Sequence, residues 1–296
     1  MPVQTLSRVL VATTLAVLTT MPIAARAQDV PGDFTEIVAD LSPTVVAVAT
    51  KRPVDMPRSP RDFFPDPFAD PRSPQEPQQE GQALGSGFII SEEGHIVTNN
   101  HVIQDATEIE ILMFDGSSMP AELIGTDPST DLAVLKIEPP EDIAVAEWGN
   151  SDELQPGAWT IAIGSPFGLG GTVTVGVLSA RSRDISSGLY EGFLQTDASI
   201  NRGNSGGPLF NAAGKVIGVN TAIFSPSGAN IGIGFAVPSS TAQRVVAELI
   251  ETGQVERGFI GVSLQPVTDA MARALGLTDA QGAIIAEVEP GSPADT

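Results

Sequence analysis

The chain has 296 residues, room for one large domain or two medium ones. Its 36 acidic residues against 15 basic ones, a formal net charge of -21, disfavour a nucleic-acid binder, which needs clustered Lys and Arg to displace counterions from phosphate. With 42% hydrophobic and only 17% charged residues it is not a disordered acidic tail, and with no cysteine it has no thiol catalysis, Cys-zinc site or disulfide. Thirty Gly and 24 Pro favour a turn-rich β architecture over a helical bundle. The two histidines, His95 and His101, are too few for a metal centre of several His ligands, and there is no H-E-x-x-H helix of a metalloprotease. No metal and no cofactor is expected.

Residues 1–27 read as a cleavable export signal. Arg8 supplies the positive end, Val9 to Met21 is an apolar stretch of 13 residues, and Ala25-Arg26-Ala27 is a small-x-small cleavage site. A membrane span needs about 20 apolar residues, and the threonines and Pro22 shorten this one. The expectation is an exported, periplasmic protein with no stable membrane span.

Phe34 to Leu41 is a short helix candidate, followed by a first strand, Val45 to Thr50. Residues 52–82, rich in Pro, Asp, Arg and Gln, cannot bury enough surface to order themselves and read as a long surface loop. Phe63-Phe64 and Phe68 within it either dock on a neighbour or another subunit, or are incidental. From Gly85 the chain changes to short apolar runs broken by Gly, Asn and Asp. Phe88–Ile90, His95–Thr98, Glu108–Phe114, Ala121–Gly125, Asp131–Ile137, Ala158–Ile163, Thr172–Ala180, Phe193–Gln195, Lys215–Phe224 and Ile231–Val237 all read as strands. Many short strands at near-regular spacing predict an all-β barrel or sandwich. Ser240 to Thr252 is the first long helical pattern, with a small polar start that can cap it and Gly253 to end it. A new β unit opens at Arg257, but about forty residues are too few for most independent cores.

Around Ser205 the sequence is Asn201-Arg202-Gly203-Asn204-Ser205-Gly206-Gly207-Pro208. Such a turn can expose a serine hydroxyl and aim successive backbone N–H groups at one point, an oxyanion hole. It also fits the G-x-S-x-G elbow of an α/β-hydrolase, where the base follows the serine. No histidine follows position 101, so that fold is excluded and the base lies upstream. His95, after the polar turn Ser91-Glu92-Glu93-Gly94, reads as a solvated turn residue. His101 sits where a strand gives way to a turn or short helix, and is the base. Asp131 heads a buried apolar run and needs a partner for its charge, whereas Asp127 reads as a turn residue. The order His, Asp, Ser in an all-β chain is that of the chymotrypsin-type double barrel.

Three segments, Thr98-Asn99-Asn100-His101-Val102, Asp131-Leu132-Ala133-Val134-Leu135-Lys136 and Gly203-Asn204-Ser205-Gly206-Gly207-Pro208, resemble the catalytic motifs of the HtrA (Deg) serine endoproteases. Gly85-Ser86-Gly87-Phe88, Ile163-Gly164-Ser165-Pro166-Phe167-Gly168 and Asn230-Ile231-Gly232-Ile233-Gly234-Phe235-Ala236 support the resemblance. It implies a chymotrypsin-like double six-stranded β-barrel with a C-terminal helix over residues 28–255, then the start of a PDZ domain, 256–296, that breaks off before its groove is complete. His101 would be the general base, Asp131 its orienting carboxylate, Ser205 the nucleophile, and the N–H groups of Gly203 and Ser205 the oxyanion hole. Ile223, Phe224 and Ile233 would line the first specificity pocket and favour aliphatic residues before the cut. Residues 52–82 would be a regulatory loop, 181–192 a segment that orders the hole on activation, and the assembly a homotrimer or multiple of trimers. The implied substrates are unfolded or misfolded exported proteins. The alternative is a holdase that binds such proteins without cutting them.

Overall fold

The computed structural model describes residues 33–52, 82–165, 171–183, 192–201, 203–223 and 230–296. The export signal, the bulk of the loop at 52–82 with its Phe residues, Phe224 and the centre of the 181–192 segment lie outside the described residues. Among the described residues no helix is long and apolar enough to cross a membrane.

A short helix, α1 (Thr35–Leu41), leads into β1 (Val45–Lys51), whose run of β-branched and small residues is almost wholly buried. The remaining strands of the first sheet are β2 (Gln82–Ile89), β3 (His95–Asn99), β4 (Glu108–Leu112), β5 (Ser118–Pro120), β6 (Glu122–Asp127) and β7 (Leu132–Lys136). They lie in the order β5-β4-β1-β2-β3-β7-β6, every pair antiparallel. The edge strands β5 and β6 are consecutive in the chain. Ala121 N–H still donates to Ile109 O of β4 at 3.0 Å, and from Glu122 onward the chain pairs with β7 instead. One long strand is thus broken into two that bond opposite edges of the sheet, and seven strands stand where six were expected. Val46, Val48, Ile89, Ile96, Val102, Ile111 and Leu135 fill the interior.

The second sheet is a closed barrel of six strands. Its strands are β8 (Trp159–Gly164), β9 (Thr172–Arg183), β10 (Phe193–Thr196), β11 (Pro208–Asn211), β12 (Val216–Ile223) and β13 (Gly234–Pro238). Its core holds Ala162, Leu178, Leu194, Ile200, Leu209, Ile217 and Ala236. The chain linking the sheets seals them together: Phe88 meets Trp148 edge to face at 5.4 Å, Ala146 N–H donates to Ile89 O, and Gly149 N–H donates to Val216 O.

After β13 comes a helix of 239–252 whose apolar residues fall three and four apart, so Ala242, Val245, Val246 and Leu249 are buried. This is α3 (Ser239–Thr252), the single turn α2 (Asn100–Ile103) lying between it and α1 in the chain. Its first amides are capped from outside rather than by its own first serine. Ser240 N–H donates to Ser151 Oγ, while Ser239 Oγ donates to Gly149 O. At the other end Gly253 takes the left-handed conformation, φ 78, and stops the helix as expected. A Cβ on Gly125 in β6 would lie 2.3 Å from Gly253 O, so α3 ends pressed against the first sheet. The C-terminal residues form a hairpin-like pair, β14 (Val262–Pro266) with β15 (Ala283–Val288), flanking the helix α4 (Asp269–Leu275).

Candidate active site

β3 ends at Asn99, and the chain turns at once into α2, which carries His101 off the end of the sheet. Asp131 precedes β7, the neighbour of β3, and adopts a left-handed backbone, φ 57, which a residue with a Cβ takes only when its surroundings impose it. The imposing contacts are visible. Asp131 O accepts from Asn100 N–H at 3.0 Å and from the buried Asn99 Nδ2 at 2.8 Å. Its carboxylate accepts the His101 N–H on Oδ1 at 2.9 Å, and pairs with His101 Nδ1 on Oδ2 at 2.6 Å. Thr221 Oγ1, on β12 of the other barrel, donates to the same Oδ2 at 2.6 Å. A carboxylate only accepts, so Nδ1 carries the imidazole proton and leaves Nε2 free as a base.

Ser205 stands on the second barrel, in the turn before β11. Gly206 beside it has φ 83, and a Cβ there would lie 2.2 Å from Ser86 O and 2.4 Å from Thr98 Oγ1. Glycine therefore lets this turn sit directly on β2 and β3, next to the strand end that carries His101. Ser86 N–H donates to Ser205 O at 2.9 Å, and Ser86 Oγ donates to Gly203 O. Asn204 O accepts from Gly207 N–H at 3.0 Å, so the trans peptide sends the Ser205 N–H the opposite way. Gly203 is left-handed, φ 102; the peptide before it begins at Arg202, outside the described residues. The structure thus joins His101 to Asp131 directly and places Ser205 across the junction of the barrels; among the described residues no hydrogen bond links Ser205 Oγ to His101.

Other expected residues divide. Ile223, at the end of β12, packs on the second core and pairs with Gly234, while Ile233 is half-buried. Phe224 is outside the described residues. A Cβ on Gly234 would meet Ile200 at 2.7 Å, which brings the buried Ile200 into the same corner. His95 is no turn residue: it opens β3, half-buried, bonded through Nδ1 to Ser91 Oγ at 2.8 Å. Burial, then the neighbouring Lys136, hold its imidazole below the ordinary value. Asp127 does shape a turn, accepting from Ser129 N–H and Thr130 Oγ1, but it is also 2% exposed and forked by Arg257 from beyond α3. Burial opposes its ionisation, yet the bonds from Arg257, Thr130 and Ser129 outweigh it and hold the carboxyl below its usual range. Among the described residues no group of three His, Cys, Asp or Glu is placed to hold a metal.

Reading the sequence did not find the parts played by Thr221, Ser86, Asn99 and Ile200. Two of them stood in quoted motifs, Asn99 beside Asn100-His101 and Ser86 between Gly85 and Gly87, whereas Thr221 and Ile200 carried no signal. What the arrangement can do chemically is proton abstraction by a carboxylate-oriented imidazole, beside a serine whose own N–H is free to donate.

Residues 85–219 match the trypsin-like peptidase domain family. A probable periplasmic serine endoprotease DegP-like of Bartonella henselae is 46% identical over 288 residues, 88% of this chain and 57% of that protein. A protein of the same description from Rhizobium meliloti is 49% identical over 242 residues, 79% of this chain and 48% of its own. The chain thus spans about half the length of the curated relatives it matches. Among solved structures, the HtrA-type protease AlgW with tripeptide superposes with a TM-score of 0.74 at 40% identity, covering 88% of this chain and 77% of that one. The serine endoprotease from Yersinia pestis gives a TM-score of 0.63 at 36% identity, covering 90% and 78%.

Proposed function

The chain belongs to the HtrA-type serine proteases, and from that premise we propose that it is a periplasmic endopeptidase that hydrolyses unfolded exported proteins through His101, Asp131 and Ser205. The observation that carries the reading is the carboxylate of Asp131, bonded at 2.6 Å to both His101 Nδ1 and Thr221 Oγ1. It fixes the tautomer that leaves His101 Nε2 able to take a proton.

In the reaction, the Ser205 Oγ proton passes to Nε2 as Oγ bonds to the substrate carbonyl carbon, and the carbonyl π pair moves onto oxygen. The Gly203 and Ser205 N–H groups hold that oxyanion. Its collapse breaks the C–N bond, the leaving amine takes the proton from His101, and water repeats the sequence on the acyl-enzyme. Ile223 and Ile233, joined by Ile200, give the first pocket an apolar lining, which favours aliphatic residues before the cut. Residues 1–27 direct export, 256–296 are the opening of a PDZ domain, and the working assembly is a trimer or a multiple of trimers that the 52–82 and 181–192 segments regulate.

The alternative, a holdase, has one observation in its favour. The C-terminal unit exposes Phe259, Ile260, Leu264, Leu275 and Ile285. Hydrolysis of casein by residues 28–296 beside Ser205→Ala separates the two. Cutting by the wild type alone, after aliphatic residues, is the expected result. Binding of casein by both chains with no cutting would establish the holdase instead.

A further inference from the structure

Resting on the protease reading, we propose that Ser86 is the positioning residue of the oxyanion hole, its N–H and its hydroxyl holding the carbonyls of the two residues that form it. Ser86 lies in the middle of β2, between two glycines, and is fully buried. An isolated buried hydroxyl on an apolar barrel strand is costly, yet every polar atom of this residue is used on the second barrel or on β3. Its N–H donates to Ser205 O, its Oγ donates to Gly203 O and accepts from Ser165 N–H at 2.8 Å, and its carbonyl accepts from Thr98 Oγ1 at 2.7 Å.

The two carbonyls it holds belong to the two residues whose N–H groups receive the oxyanion. With Gly203 O held by the Ser86 hydroxyl, the 203–204 peptide plane is restrained, and the Gly203 N–H is set from that plane by the two backbone torsions of a glycine whose φ is 102. With Ser205 O pinned from one side and Asn204 O held by Gly207 N–H from the other, the Ser205 N–H has no freedom to turn. The turn is tightly packed on β8: a Cβ at Gly164 would lie 2.5 Å from Asn204 Oδ1, and one at Gly207 would lie 2.6 Å from Ile163 O. The oxygen of Ser86 is therefore a relay from Ser165 N–H to Gly203 C=O. Alanine at 86 keeps the backbone bond to Ser205 and deletes the relay alone.

The test compares two ligands of one peptide ending in valine. One is a trifluoromethyl ketone, to which Ser205 Oγ adds while the carbonyl π pair moves onto oxygen and into the hole. The other has that carbonyl reduced to methylene and presents no oxygen. In Ser86→Ala the ketone is expected to bind about 100-fold more weakly and the reduced peptide within twofold of wild type, with kcat falling by the same factor as the ketone and KM unchanged. Ser86→Cys, which keeps the size and a weak donor, is expected to lie between, and supplies the measurement should the alanine variant melt below assay temperature. Equal losses for both ligands, or none for either, would overturn the role of Ser86 while leaving the protease intact. A wild type that binds no ketone would overturn the protease reading itself.

Discussion

Replacing Thr221 with valine keeps the β-branched shape that suits β12 and deletes only the donor to Asp131 Oδ2. The carboxylate then keeps its two bonds to His101 but can swing about them. Loss of a hydrogen bond to a charged group is worth about 1.5–3 kcal/mol, so Thr221→Val is expected to lose up to that much stability in urea unfolding, and kcat/KM to fall about 10-fold as the freed carboxylate holds His101 less well. Unchanged kcat/KM would mean that His101 alone holds Asp131. At this scale the sequence yields the residues that lie in motifs. His101, Asp131 and Ser205 are legible because proton transfer restricts residue type and chain order. Thr221, ninety residues along the chain from its partner, leaves no local trace, since a hydroxyl's partner is set by how two barrels meet.

Strands β2, β3 and the turn of Ser205 meet without room for a side chain at Gly206. Alanine there would combine a left-handed backbone, which costs about 1–2 kcal/mol, with overlap on Ser86 O and Thr98 Oγ1. Gly206→Ala is expected to lose more than about 2 kcal/mol in urea unfolding, and its activity with it. A variant as stable as wild type would show that the seam between the barrels yields. The elements with clear alternation or helical spacing were readable, and β1, β3, β7, β8 and α3 stand within a few residues of their expected bounds. β5 was missed because Ser118-Met119-Pro120 has no apolar alternation, and β11 because Pro208 sits in a motif that reads as a turn. The cap of α3 was misplaced because its donors and acceptors come from residues 149–151, ninety positions earlier.

Across the whole molecule, the fork of Arg257 on Asp127 ties the start of the C-terminal unit to β6. Arg257 keeps a quarter of its side chain in water, so breaking the pair by Arg257→Ala is expected to cost about 3 kcal/mol, the low end for a buried pair. The pH sign follows from the depressed Asp127 carboxyl. Its stabilising contribution is complete above the unfolded value, about pH 4, and is lost as pH falls through the lower folded value. Urea unfolding of wild type and Asp127→Asn should therefore differ by a constant amount above about pH 5 and converge in stronger acid; parallel curves down to pH 2 would remove Asp127 from the acid response. This pair left no trace in the sequence, because Asp127 and Arg257 lie 130 residues apart, the one reading locally as a turn residue and the other as the first residue of a new β unit.

That fork also decides where tension travels. Helix α3 follows the last strand of the barrel that bears Ser205, yet its far end and Arg257 are moored to the opposite barrel, four residues ahead of Asp131. A pull on anything beyond residue 257 would therefore load β6 and the turn that leads to Asp131 before it reached the strands beside Ser205.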